Sequence, residues 1–271
     1  MKILKAIGFT VFTLGTLVFS SATLAYHDWN NYHWARTTGS FTLKVVDSTT
    51  ADWDLELGSS LSAWSQSSVF DLVIDTYDDS RKARKRCQSV TGQMRVCNAD
   101  YGFNGWLGLA SIYLDINGHI TKGTAKMNDS YASYWAIEGE KNHVMCQEIG
   151  HVFGLGHTSE DGTSQQTCMD YSNSINSQFP NDHDYEELAD IYVHTDSYNS
   201  YDDSGSGSGG GDGGGCNAPP GKGCNKSNAD VPPMGTRVHR GKRHEIWVAP
   251  GRDGGLWIHH VTLVPGEDHD H

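Results

Sequence analysis

The chain has 271 residues, with 33 acidic against 20 basic side chains and a formal net charge of −13. That balance argues against a nucleic-acid partner, because phosphate binding needs a basic surface, and it favours a well-solvated exterior. About 245 residues beyond an export signal leave room for one full hydrophobic core and a smaller appendage.

Residues 1–25 read as a secretory signal, in which Lys2 and Lys5 precede an apolar run from Ile7 to Phe19 and Thr23-Leu24-Ala25 offers a cleavage site. The mature chain would then begin near Tyr26. The run is short for a bilayer span and interrupted by Thr and Gly, and no later segment approaches the needed length. The absence of a cysteine at the cleavage point removes the reason to expect a lipid anchor there, while a retained N-terminal anchor stays as the alternative. The expectation is a monomer, secreted or periplasmic, with no membrane span once the signal is removed. In an oxidising compartment the six cysteines would pair. Short loop closure favours Cys87–Cys97, Cys146–Cys168 and Cys216–Cys224 among the connectivities that six cysteines allow.

In chain order, Phe41 to Val46 predicts a strand, and Ala51 to Gln66 an amphipathic helix with Trp53, Leu57, Leu61 and Trp64 at helical spacing. Val69 to Thr76 predicts a second strand. A basic loop follows with Arg81, Lys82, Arg84, Lys85 and Arg86, either a solvated loop or a substrate-binding patch. Gly105 to Ile120 is apolar and β-prone, and Asp115-Ile116-Asn117-Gly118 predicts a turn into a strand from His119 to Met127. The same turn has the beginnings of a calcium loop but lacks its remaining carboxylates. A helix is expected over Ile137 to Leu155, and a last one over Tyr185 to His194.

Residues 201–215 are a Gly/Ser-rich linker that cannot bury apolar surface. Residues 216–264 beyond it are expected to form a small β-rich C-terminal module, with strands at Glu245 to Val248 and Leu256 to Leu263 around a Pro250-Gly251 turn. So small a unit needs a staple, which Cys216–Cys224 would supply. The tail 265–271, acidic and His-bearing, reads as disordered, with loose metal binding as the alternative.

The chemistry concentrates in Gln147-Glu148-Ile149-Gly150-His151-Val152-Phe153-Gly154-Leu155-Gly156-His157. Positions four apart share a helix face, so Gln147 and His151 can reach one ion. Glu148, one position round, can reach a water activated by that ion without occupying the metal itself, which suits a general base. Gly154 lets the helix end and the chain turn back, returning His157 as a third ligand. Three protein ligands and one open position are what a catalytic zinc requires. His143 lies one turn earlier on the same face but too far along the helix to share an ion with His157. Cys146 faces another side of the helix from His151, which disfavours it as a ligand. A buried helix with core histidines would account for His151 or His157 singly, but not for both together with Glu148 and Gly154.

The segment resembles the metzincin signature H-E-x-x-H-x-x-G-x-x-H, with Gln147 standing where that family has its first histidine. Cys168-Met169-Asp170-Tyr171 resembles the Met-turn beneath the metal in that clan, and Tyr171 matches the tyrosine that contacts zinc in the astacin and serralysin branches. The order of strands and helices before the motif, and Thr158 after it, look more like the matrixin branch. The resemblance covers roughly Phe41 to Tyr192 and implies an α/β (α+β) zincin catalytic domain over 26–200, with a mixed twisted sheet and an active-site helix. It implies one catalytic zinc on Gln147, His151 and His157, with Glu148 as base, Met169 as the structural Met-turn residue and Tyr171 as fifth ligand or oxyanion stabiliser. The substrate would be an extracellular protein or peptide.

Three outcomes are open at Gln147: it ligates through its side-chain oxygen, Tyr171 completes the site, or the protein binds without cutting. Two other functions therefore stay beside the endopeptidase, a silent relative that holds a protein or peptide and a surface adhesin working through the C-terminal module. A Cys146–Cys168 bond would tie the metal helix to the Met-turn and contribute about 3 kcal/mol in the chain-entropy model. Tyr26 to Arg36 is too short for a long inhibitory propeptide and holds no cysteine to plug the metal.

Overall fold

A computed structural model describes residues 27–28, 30–203 and 233–266. The expected signal, residues 204–232 of the linker and module with Cys216 and Cys224, and the tail from 267 lie outside the described residues.

Strand β1 (His33–Trp34) is a two-residue start to the domain, and β2 (Phe41–Ser48) follows with Phe41, Leu43 and Val45 buried on one face. A 3-10 turn at Ala51–Trp53 leads into α1 (Asp54–Trp64), which buries Leu57, Leu61 and Trp64 as their spacing predicts. Strand β3 (Phe70–Tyr77) is next.

The basic run then departs from expectation: Arg81–Arg86 is a short helix, α2, not a loop. Nothing in it repeats at helical spacing. Its start is fixed by the Ser80 hydroxyl, which accepts from the Ala83 amide at 3.3 Å, and its end by Cys87, left-handed at φ 43° and bonded to Cys97. The three basic residues of its last turn also suit the negative end of the helix dipole.

Strand β4 (Gln93–Ala99) precedes the hairpin of β5 (Trp106–Leu114) and β6 (His119–Asn128). Asp115 makes the turn between them, its carboxylate accepting from the amides of Asn117 and His119 at 2.8 and 3.0 Å. Helix α3 (Ala132–Trp135) is brief, and α4 (Glu140–His151) carries the motif. Helix α5 (Asp182–Ile191) begins three residues before the apolar pattern does. A capping box sets that start, with Asn181 accepting from the Asp184 amide and Asp184 accepting from the Asn181 amide.

The strands form one mixed sheet in the order β3-β2-β4-β6-β5-β9-β8-β7, with β1 pairing in parallel to β6 off that path. Strands β2, β3, β4 and β6 run parallel, while β5 pairs antiparallel with both β6 and β9. The architecture is α+β with a large mixed sheet. Here the expected stand-alone C-terminal module takes a different form. Its strands β7 (Thr236–Arg240), β8 (His244–Pro250) and β9 (Leu256–Leu263) extend the main sheet, and β9 lies against β5 along its whole length. The residues of β9 explain this: from Trp257 to Leu263 all are buried, as a strand covered on both faces requires.

Helices α1 and α4 pack on each other and over the sheet, joined by the Trp64 indole, which donates to the Cys146 carbonyl at 3.0 Å. Trp34 donates likewise to Val152 at 3.0 Å. Helix α4 is buried on every side from His143 to His151, so it is an internal strut and not a surface helix. Its continuation turns at Gly154, φ 101°, where a Cβ would lie 1.9 Å from the Tyr32 carbonyl oxygen. Gly154→Ala is therefore expected to destabilise the protein by roughly 3 kcal/mol or more, combining left-handed strain with a backbone clash. A thermal unfolding midpoint lowered by about 10 °C would show it, and an unchanged midpoint would refute it.

Candidate metal and catalytic site

Four of the expected site residues sit on or just after α4. The His151 ring is fully buried, and its Nδ1 lies 2.8 Å from the Leu155 carbonyl. A carbonyl only accepts, so Nδ1 carries the proton and Nε2 is left as a bare lone pair. That Nε2 has no hydrogen-bond partner. Burial lowers the His151 pKa to about 3, keeping the ring neutral. His157 approaches edge-on, ring centroids 4.6 Å apart. Its ring is enclosed among other imidazoles, and desolvation, followed by His151, His244 and His260, holds its pKa well below the usual value.

Glu148 is buried beneath β5, and the absence of a side chain at Gly108 makes room for it. A Cβ there would fall 2.2 Å from Glu148 Oε1. Desolvation pushes its carboxyl up to about 8, against hydrogen bonds with Thr262 and the Ala110 backbone that pull it down. One of its oxygens, Oε2, is buried without a partner.

Gln147 is placed differently from a simple ligand. Its amide nitrogen donates to the carbonyls of Cys168 and Asp170, both at 3.0 Å. Two acceptors consume both N–H groups, so only Oε1 is offered to the interior, and there it accepts from the Thr262 hydroxyl at 3.0 Å. His143 is occupied in the same way, Nε2 against the Asp170 carbonyl at 3.0 Å.

The loop after His157 is held tightly below the helix. Cys146–Cys168 is bonded, and Met169 packs beneath Gly150, where an added Cβ would meet its sulfur at 2.6 Å. Asp170 organises the turn, its carboxylate accepting from the amides of Ser172 and Gln165 and the hydroxyl of Ser177. Tyr171 is buried, with its hydroxyl 2.8 Å from His157 Nε2, and burial raises its pKa well above the ordinary tyrosine value.

Three residues that sequence reasoning placed in a remote module belong to this site. The Thr262 hydroxyl of β9 lies between Gln147 Oε1 and Glu148 Oε1, at 3.0 and 2.6 Å; with one proton it donates to Gln147 and accepts from the protonated Glu148 carboxyl. His260, two residues earlier on the same face, stacks on His151 at 4.0 Å between centroids. His244 at the start of β8 lies 4.8 Å from His157 and stacks over Tyr171. Arg243 clamps this hairpin down, donating to the Tyr171 carbonyl at 2.6 Å and to Asn173 at 2.8 Å. A signal existed in the His259-His260 pair within a strand apolar on both faces, since imidazoles buried in a central strand need polar company.

Among the described residues, three groups of side chains could hold a metal ion, each with ligand atoms within 4.8 Å of one another: His157, Glu160 and His244; His27, His183 and Glu187; and His33, His194 and Asp196. The first shares His157 with the motif. The basic helix α2 lies elsewhere, lining a cavity of about 750 Å³ with Thr50, Trp53, Asp129 and Lys141. The two disulfides among the described residues suit an oxidising compartment, and no described helix is long and apolar enough to cross a membrane. No family model matches the sequence, and no curated protein is significantly similar to it.

Proposed function

We propose that the chain is an exported zinc-dependent endopeptidase of the metzincin kind, held closed in the described conformation by its own C-terminal strands. The observation that carries this reading is the bare, fully buried Nε2 of His151, oriented by the Leu155 carbonyl and set beside His157 and Glu148. A buried lone pair without a donor is costly unless something electron-poor meets it. An imidazole whose other nitrogen is tied to a backbone carbonyl is the usual form of a metal ligand.

The donor types suit zinc, His151 and His157 offering nitrogen and Gln147 Oε1 as a neutral and weaker ligand, although in the described conformation His157 groups with Glu160 and His244 and no such group among the described residues includes His151. A bound zinc would polarise the scissile carbonyl and acidify a water. Once ionised, as it would be with Thr262 withdrawn and water admitted, Glu148 would take that water's proton and pass it to the leaving amine. The Tyr171 hydroxyl beside His157 is placed to donate to the oxyanion. Thr262 now occupies Glu148 and Gln147, and β9 fills the edge of β5 on which an extended peptide would pair. The same filling favours the second reading, a silent relative in which the hairpin is a permanent part of the core.

Metal analysis with a casein assay separates the two. The full chain is expected to purify with zinc, and its residual cleavage is expected to vanish with a chelator and return with zinc. A metal-free protein under zinc-replete conditions, or cleavage indifferent to the chelator, would refute the enzyme reading.

A further inference from the structure

Away from the motif, three imidazoles converge on one carboxylate. The parallel pairing of β1 with β6 sets His33 directly opposite His119, and the segment after α5 brings His194 and Asp196 to them. His33 Nε2 lies 3.5 Å from Asp196 Oδ2, while His119 and His194 present Nε2 to Asp196 Oδ1 at 3.2 and 3.6 Å. His33 is 5% exposed, and its Nε2 has no hydrogen-bond partner.

The protons decide what this cluster is. His33 Nδ1 sits 2.8 Å from the Asn31 carbonyl, which can only accept, so the proton is on Nδ1 and a neutral ring turns a bare Nε2 towards Asp196. His119 repeats the arrangement. The Tyr198 hydroxyl donates to Asp115, so its oxygen accepts from His119 Nδ1 at 2.8 Å, and in a neutral ring the second Nε2 would be bare as well. Lone pairs facing a carboxylate at 3.2 and 3.5 Å repel unless a cation lies among them. Asp115, with Oδ1 4.0 Å from His119 Nδ1, could help neutralise an imidazolium there, but His33 and His194 have only Asp196 as an ion-pair partner among the described residues. Burial, the dominant influence at His33, further opposes its protonation. The carboxylate is itself held in place by the Arg36 amide, which donates to Oδ2 at 2.9 Å.

We propose that His33, His119, His194 and Asp196 form a structural zinc site, distinct from the motif on α4, that staples the N-terminal strand to the β5–β6 hairpin and to the segment following α5. Imidazole nitrogen and carboxylate oxygen are both donors that zinc takes; His33, His194 and Asp196 already lie within 4.8 Å of one another, and His119, 3.2 Å from Asp196, would complete a tetrahedral set of four. The buried His33 and the half-buried His119 are each oriented by a further acceptor, as metal-binding histidines are. The staple also serves the motif. The same N-terminal segment braces the loop before His157, with the Gly156 amide donating to the His27 carbonyl at 2.5 Å and Asp28 bridging to Leu155.

The test compares full-length wild type, His194→Ala, and His151→Ala, each stripped with chelator and then titrated with zinc and with cobalt(II). The His194 side chain is 46% exposed, so its removal leaves little void and the stripped His194→Ala protein should melt with the stripped wild type. Wild type and His151→Ala are expected to share one tight ion with a tetrahedral cobalt spectrum. His194→Ala should bind that ion at least about 100-fold more weakly and lose the several-degree rise in melting temperature that zinc gives the others. The proposal is overturned if His194→Ala keeps the wild-type zinc affinity, or if His151→Ala binds no tight ion. It is equally overturned if the cluster proves to be a protonated network, with a melting temperature that zinc does not move. Loss of the ion only in His151→Ala would count against this site while leaving the proposed catalytic one intact.

Discussion

Glu148→Gln is expected to lower peptide hydrolysis by about 10³-fold while leaving the zinc content unchanged. Glutamine matches glutamate in shape, so it can fill the space over Gly108 and keep its contact with Thr262. What it cannot do is take a proton from water. A merely structural role predicts a different pattern, because breaking a buried polar network lowers stability. Glu148 is fully buried with one oxygen unpartnered, so exchanging its carboxyl for an amide should leave the melting temperature unchanged or raise it. Turnover of a fluorogenic peptide, zinc by mass spectrometry and a thermal melt decide the matter together. Activity within tenfold of wild type would remove Glu148 from the chemistry.

The helix of the motif was legible because its information is local. Spacing within one helix puts Gln147 and His151 on one face, and the need for a left-handed residue places the turn at Gly154. Strand β2, helix α1 and the β5–β6 hairpin could be read for the same reason, from periodicity and from the Asp115 turn. Strand pairing across the chain could not. The β-prone run of β9 says that it is a strand but not that β5 is its partner, and more than a hundred residues separate Thr262 from Gln147 and Glu148, with a Gly/Ser stretch between. The continuous burial along Trp257 to Leu263 was the clue that this strand has cover on both faces. The cluster of His33, His194 and Asp196, with His119 beside it, is less legible still, because its members come from three segments and no spacing links them. Helix α2 escaped notice because a disulfide and a serine cap stand in for apolar periodicity.

Ending the chain after Asp203 is expected to raise peptide hydrolysis by roughly tenfold or more, about 1.4 kcal/mol in barrier, by returning the edge of β5 to substrate and Glu148 and Gln147 Oε1 to water. In the full chain, β9 pairs with β5 from Trp106 to Leu114, and Thr262 holds both side chains at once. Truncation also bares apolar surface such as Leu109 and Ile112, so a gentler variant is needed beside it. Arg243→Ala keeps the whole chain but removes the hydrogen bonds that fasten the hairpin to the Tyr171 carbonyl, Asn173 and Tyr134. It should raise activity in the same direction by a smaller factor. The two readings of the hairpin predict opposite metal contents. If the strands only cover the site, the truncated protein keeps its zinc, because the expected donors all lie before residue 203. If His244 or His260 is itself a ligand in place of Gln147, truncation releases the ion and activity falls to nothing. Those two imidazoles lie 4.8 and 4.0 Å, ring to ring, from His157 and His151, close enough to make the comparison of zinc content in the two proteins decisive.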